Sequence, residues 1–219
     1  MNAQNTSSSN FIFSEISQRL LARLALLKIK PINILLQDSS QTLALPSLKM
    51  LFPEAKISQC ASANQTYELI VDNCSLVAAD DLTVSLFNLK KLLSTDGLVI
   101  FGTLGLASFV QYRFLLKPGL HLIDMHNLGD LMLNLNFVDP VMEMEIIRLN
   151  YNKASTLLND LQQGQLLADT ITPHELNTPI NTTLEIIYGH AWRKVGFHNQ
   201  FTDESNNTYI SIDSIEYMD

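Results

Sequence analysis

The chain has 219 residues, enough for one domain with a sizeable core, and its 47% apolar and 16% charged residues are those of a globular protein. A net charge of −8 argues against nucleic acid as a main partner, because phosphate recognition needs clustered Lys and Arg. Two cysteines, Cys60 and Cys74, make neither a disulfide framework nor a zinc site and point to a reducing, cytoplasmic compartment. No run of about 18 apolar residues is present to span a membrane. The first apolar stretch is broken by Arg19, Arg23 and Lys28, which does not read as a signal peptide.

In chain order, the polar, low-complexity start predicts a disordered tail over residues 1–13, with a single domain over 14–219. Ser14 reads as the N-cap of an amphipathic helix whose face is Ile16, Leu20, Leu24 and Leu27, ended before Pro31. Residues 32–36 predict a buried strand, 37–42 a polar turn, and 43–51 a weak helix interrupted by Pro46. A second strand is expected at 56–60 and a stronger one at 68–73. Asp80 or Asp81 caps a helix carrying Leu82, Leu86, Leu89 and Leu93, and Asp96-Gly97 turns into a buried strand at 98–102. This alternation predicts a parallel α/β sheet. Asp124 then caps a helix with Leu128, Leu131, Met132 and Leu135 inward. Two long strands at 141–149 and 183–192 enclose a helix near 153–161 and predict an antiparallel closure of the sheet. An alternating stretch at 208–212 reads as an edge strand.

Several of these segments resemble the malonyl-carrier-protein O-methyltransferases of biotin synthesis. The likeness rests on the entry helix from Glu15, on Tyr67-Glu68-Leu69-Ile70-Val71 with Asn73 and Leu76, and on Leu98-Val99-Ile100-Phe101-Gly102-Thr103. Its most specific parts are Ile123-Asp124-Met125-His126 with Gly129-Asp130, Asp139-Pro140-Val141-Met142 with Met144-Glu145, and Tyr188-Gly189-His190-Ala191-Trp192. The resemblance covers roughly residues 14–193. It implies the Rossmann-like sheet of class I methyltransferases, S-adenosylmethionine as cofactor and an acyl carrier protein as the bearer of substrate.

The chain departs from that pattern in four places. The family's first strand ends in an acid followed by a glycine-rich turn, whose backbone passes close to the cofactor. Here the aligned residues, Leu36-Gln37-Asp38-Ser39-Ser40-Gln41-Thr42, contain no glycine, and Leu36 aligns with the acid. The second strand ends without the carboxylate that holds ribose hydroxyls, since the aligned stretch is Ile57-Ser58-Gln59-Cys60-Ala61. The third strand and its helix have no counterpart, because only residues 62–66 separate Ala61 from Tyr67. Five residues reach at most about 20 Å, whereas the return path is about 17 Å along the sheet and about 10 Å across it. Residues 56–60 are therefore expected to be short, frayed or non-parallel. Finally, the helical lid expected over 162–182 looks trimmed, with Thr172-Pro173 and Thr178-Pro179 leading straight into a strand.

The resulting expectation is a truncated methyltransferase fold whose cofactor site has been dismantled, with no catalytic residue and no cofactor. Remnants of the site are Leu36, Asp38, Ser39 and Ser40, with Asp72 and Asn73 after the fourth strand of the family fold. A partner or ligand surface is expected at His126, Asp130, His190 and Trp192. His121, Asp124, His126 and Asp130 have ligand-like spacing but no ordered metal motif, so no metal is expected. Glu143 and Glu145 read as one solvated strand face, and the pairs Arg19/Arg23, Lys90/Lys91, Arg113/Lys117 and Arg193/Lys194 as scattered surface charge. The functional expectation is a non-catalytic interaction protein whose partner is an acyl carrier protein or a homologous methyltransferase. A homodimer would cover apolar surface opened by the deletion. The alternative is a divergent, active methyltransferase that uses S-adenosylmethionine.

Overall fold

The computed structural model describes residues 11–38, 44–62, 64–169, 176–194, 200–202 and 208–210. Helix α1 (Phe11–Leu24) opens the chain and buries Ile12, Phe13, Ile16, Leu20 and Leu24. Ser14 is not its cap: it lies inside the helix, preceded by the core residues Ile12 and Phe13. Residues 1–10, most of the expected tail, lie outside the described set. The helix stops at Leu24, well short of Pro31, and Leu27 packs on the edge of the core beyond it.

Strand β1 (Asn33–Asp38), helix α2 (Leu45–Leu51), strand β2 (Lys56–Ser58) and strand β3 (Tyr67–Asn73) follow. Pro46 does not interrupt α2. It lies in the first turn, where its missing N–H has no partner to lose. A 3-10 turn (Ser75–Ala78) leads to α3 (Leu82–Leu92), capped by Asp81, whose carboxylate accepts from the Val84 N–H at 3.0 Å. Strand β4 (Leu93–Leu104) starts directly from α3, so Asp96-Gly97 is not a separate turn. Asp96, at φ 57°, marks an irregularity within β4, where the pairing to β3 jumps between Tyr67 and Leu69. After a second 3-10 segment (Val110–Leu115) come α4 (Met125–Asn134), β5 (Val138–Tyr151), α5 (Ala154–Gln163) and β6 (Ile180–Arg193).

The sheet order is β2-β1-β3-β4-β6-β5. The first four strands are parallel, and β6 runs antiparallel to both β4 and β5. This is a mixed α/β, Rossmann-like sheet that lacks one strand at its β2 edge, as the deletion predicts. Segment 56–60 is short but parallel, with Asn33, Ile34 and Leu35 of β1 opposite Lys56, Ile57 and Ser58. Shortening β2 to three residues is what lets the return loop close. That loop crosses β1 on the α3 side, where the Ser62 N–H donates to the hydroxyl of fully buried Tyr67 at 3.2 Å. Gln65 donates to Asn33 at 3.2 Å and holds the loop at the start of β1.

Apolar residues fill both faces. On one, α1, α2 and α5 cover Ile34, Leu36, Ile100 and Tyr188, and on the other α3 and α4 cover Leu35, Ile70, Val99 and Phe101. Helix α1 approaches β4 closely at Gly102, where an added Cβ would lie 2.7 Å from a methyl of Ile16. Two cations close helix ends. Arg193 donates to the carbonyls of Lys90, Lys91 and Leu93 at the end of α3, and Lys90 donates to those of Leu135 and Asn136 after α4. The expected edge strand near 208–212 does not join this sheet: β8 (Thr208–Ile210) pairs with β7 (Gln200–Thr202) as a separate two-stranded unit. Residues 170–175, in the lid region, lie outside the described set.

Candidate functional site

The chain leaves β1 toward β2 on one side and resumes at β3 on the other, so the direction of strand addition reverses at β1. In open parallel sheets the ligand crevice opens at such a reversal, beyond the carboxyl ends of the strands. A cleft of about 460 Å³ lies there, lined by Gln37 and Asp38 of β1, Gln59 after β2, Ser75 after β3, and Ser85 and Asn88 of α3. Its side chains are mostly neutral hydrogen-bonding groups, backed by Leu76, Leu89 and Leu92.

The strand ends carry four polar side chains in register, with Gln37 opposite Asp72 and Asp38 opposite Asn73. Asn73 donates to one oxygen of Asp38 at 2.9 Å, and the Ala44 N–H points to the other at 3.4 Å. Asp72, wholly buried, accepts from the backbone N–H of Ser75 at 2.9 Å and from its hydroxyl. Burial pushes the Asp72 carboxyl up to about 6, with a further push from the Asp38 charge, against the lowering pull of the Ser75 bonds. Cys74 follows in the left-handed region at φ 66°, with its N–H donating to the Gly102 carbonyl at 2.9 Å. Its buried thiol is pushed well up, first by desolvation and then by the Asp72 and Asp38 charges, which makes it a poor nucleophile.

Three of the expected remnants meet at this site: Asp38, Asp72 and Asn73. Leu36 does not. It is 0% exposed and packs in the α1 side of the core, because it sits inside β1, short of the strand end where Gln37 and Asp38 reach the cleft. Ser39 and Ser40 lie outside the described residues. Gln59, Ser85 and Asn88 were missed from sequence, since isolated neutral side chains carry no spacing signal.

The expected surface at His126, Asp130, His190 and Trp192 is divided. His126 and Asp130 are exposed on α4, with the His126 ring 3.2 Å from its own helix cap, Asp124. His190 and Trp192 lie half-buried on the opposite face of the sheet, toward α1. Among the described residues no group of three His, Cys, Asp or Glu side chains is arranged to hold a metal. None of the helices searched is long and apolar enough to cross a membrane. Glu143 and Glu145 are not a merely solvated face. Arg23 pairs with Glu143 at 2.5 Å, and Arg19 bridges Glu15 and Glu145.

The fold is shared with a solved putative methyltransferase from Bacillus halodurans (TM-score 0.55, 9% identity, 80% of this chain and 97% of that one). The YcgJ protein of Bacillus subtilis matches similarly (TM-score 0.54, 12% identity, 82% and 99%). So does Haemonchus contortus phosphoethanolamine N-methyltransferase 2, solved in complex with S-adenosyl-L-methionine (TM-score 0.51, 10% identity, 88% and 58%). The chain thus has the class I methyltransferase fold. Its sequence is similar to malonyl-[acyl-carrier protein] O-methyltransferases, as the motifs imply. The relative from Gallionella capsiferriformans is 27% identical over 164 residues (64% of this chain, 57% of the relative), and that from Halorhodospira halophila 27% over 179 (69% and 60%). A third, from Coxiella burnetii, is 25% identical over 223 residues (81% and 79%). The chain thus spans about three fifths of the length of the first two. No protein-family model matches it.

Proposed function

We propose that this chain is a degenerate methyltransferase-fold protein that does not bind S-adenosylmethionine and acts by contact with a partner. The observation that carries this reading is that both carboxylates at the strand ends are turned to internal work. Asp38 ties β1 to Asn73 and to the start of α2, and Asp72 ties β3 to the 3-10 turn after it. A cofactor with a sulfonium cation and a ribose diol asks for carboxylates at the ends of the first two strands. At the second strand end this chain offers Gln59, and at the aligned first position the core residue Leu36. The residues present do not fit the cofactor. The partner is an acyl carrier protein or an active homologous methyltransferase, the two classes that go with the relatives' action on a malonyl-carrier protein.

The test is isothermal titration and thermal shift with S-adenosylmethionine and S-adenosylhomocysteine. The expected result is no heat of binding and no shift. A micromolar Kd would stabilise the fold by about 2.7 kcal/mol at a hundredfold excess over Kd and would overturn the reading. The alternative is an active S-adenosylmethionine-dependent malonyl-carrier-protein O-methyltransferase. It is favoured by the cleft of about 460 Å³ at the strand reversal and by the relatives' names. Transfer of a labelled methyl group to a malonyl-loaded carrier protein is the outcome it requires.

A further inference from the structure

The Tyr188-Gly189-His190-Ala191-Trp192 stretch is not absorbed by the cleft at the strand ends, and it borders a second concavity. Where α1 ends, the chain at Leu26 and Leu27 overhangs the sheet and leaves a pit of about 180 Å³. Ile100, Leu27 and the Gly189 backbone line it, and Arg23 and Tyr188 form one wall. That wall is held in place. The Arg23 guanidinium stacks on the Tyr188 ring, 3.7 Å from its centre, while donating to Glu143 and to the Arg19 carbonyl. At the rim, Leu26 is 81% exposed and Val141 52%.

Two properties define what fits. The first is size: an apolar cavity of about 150 Å³ takes one benzene ring, so this somewhat larger, open-mouthed pit takes one small aromatic group. The second is a polar group within the apolar lining. His190 lines the pit, half-buried, and no described residue hydrogen-bonds its ring nitrogens. Burial lowers the His190 pKa, so at neutral pH its imidazole offers both a donor and an acceptor.

We propose that this pit binds one small aromatic group bearing one hydrogen-bonding group, a phenol or an indole, with His190 as its polar partner. The site is independent of the cofactor question, because the pit lies under α1 and the cleft under α3, on opposite faces of the sheet. A phenol or indole group arrives either as a free small molecule or as the Tyr or Trp side chain of a protein.

The experiment is NMR of the full chain, following the His190 ring and the methyl groups of Leu27, Ile100 and Val141. The probes are p-cresol, indole, toluene and a capped Gly-Tyr-Gly peptide. Saturable shifts with p-cresol and indole are expected, with toluene several-fold weaker. The indole N–H of Trp192, the only tryptophan, gives a second readout beside the pit. Val141→Trp, at an exposed rim position, should weaken p-cresol binding by about tenfold by filling the mouth. His190→Phe should bring p-cresol down to the level of toluene. Binding of the peptide as well as p-cresol assigns the pit to a protein side chain, and binding of free p-cresol alone assigns it to a small molecule. No saturable shift with p-cresol or indole, shifts unaltered in Val141→Trp, or a p-cresol preference that survives His190→Phe would each overturn the proposal.

Discussion

The Arg23 guanidinium lies 3.7 Å from the centre of the Tyr188 ring and pairs with Glu143 through two nitrogens, joining the end of α1 to β6 and to the edge strand β5. The spacing makes the match possible. Arg19 and Arg23 are four residues apart on a helix, a rise of about 6 Å, and Glu143 and Glu145 are two apart on a strand, about 6.6 Å. The two cations therefore meet the two carboxylates in step, which holds α1 over β5 and shapes the pit beneath its end.

Replacing Arg23 by Leu removes the stacked cation and the paired hydrogen bonds together. Both groups are partly solvated, with Glu143 57% exposed in its side chain, so the expected loss is about 1–2 kcal/mol. Urea denaturation checks it. A double-mutant cycle with Glu143→Gln should return a coupling below about 1 kcal/mol that shrinks in high salt.

Asp72 sets a pH dependence of stability. Its folded pKa is raised to about 6 from 3.8, so the native state favours the protonated acid. That contribution is fully present below about pH 4 and is lost as pH rises through about 6, an effect on the order of 3 kcal/mol for a buried carboxyl. His190, with a lowered pKa, acts in the opposite sense as pH falls below 6.5. Comparing wild type with Asp72→Asn isolates the Asp72 part: the variant's unfolding free energy should lack the decline between pH 4 and 7. An unchanged slope would refute the assignment.

Gly189 has no room for a side chain. A Cβ there would lie 2.2 Å from the Phe101 ring across the β4–β6 pair. Gly189→Ala should destabilise by at least about 2 kcal/mol, as overpacked core positions do. Adding Phe101→Leu should recover part of the loss, which thermal melts of the single and double variants will measure.

Arg193→Gln should cost about 1 kcal/mol by freeing the carbonyls of Lys90, Lys91 and Leu93 at the α3–β4 junction. Amide hydrogen exchange should rise first in the last turn of α3, and exchange confined to other elements would contradict the capping role.

Much of the scaffold is local in origin and was legible. Asp124 is a cap because its carboxylate accepts from the His126 and Asn127 N–H groups, a relation contained within four residues. The strand at Tyr67–Asn73 and the helix at Leu82–Leu92 announce themselves by apolar periodicity. The β2 edge was legible for another reason: a loop too short to return forces the strand to shrink. The errors share one cause. Leu36 aligned with a cofactor acid, yet its place inside β1, short of the strand end, puts it in the core. Glu143 and Glu145 looked solvated because the cations that meet them lie about 120 residues away in the chain.

By itself the sequence determined the order of helices and strands, the missing strand, the glycine-free turn and the likeness to malonyl-carrier-protein methyltransferases, because periodicity, capping and chain length act over short distances. Only the tertiary structure decided that Asp38 and Asp72 face inward partners, that His126 and His190 lie on opposite faces, and that the end of α1 roofs a pit beside His190. Those facts depend on which distant residues the sheet brings into register, and register is a property of the whole fold.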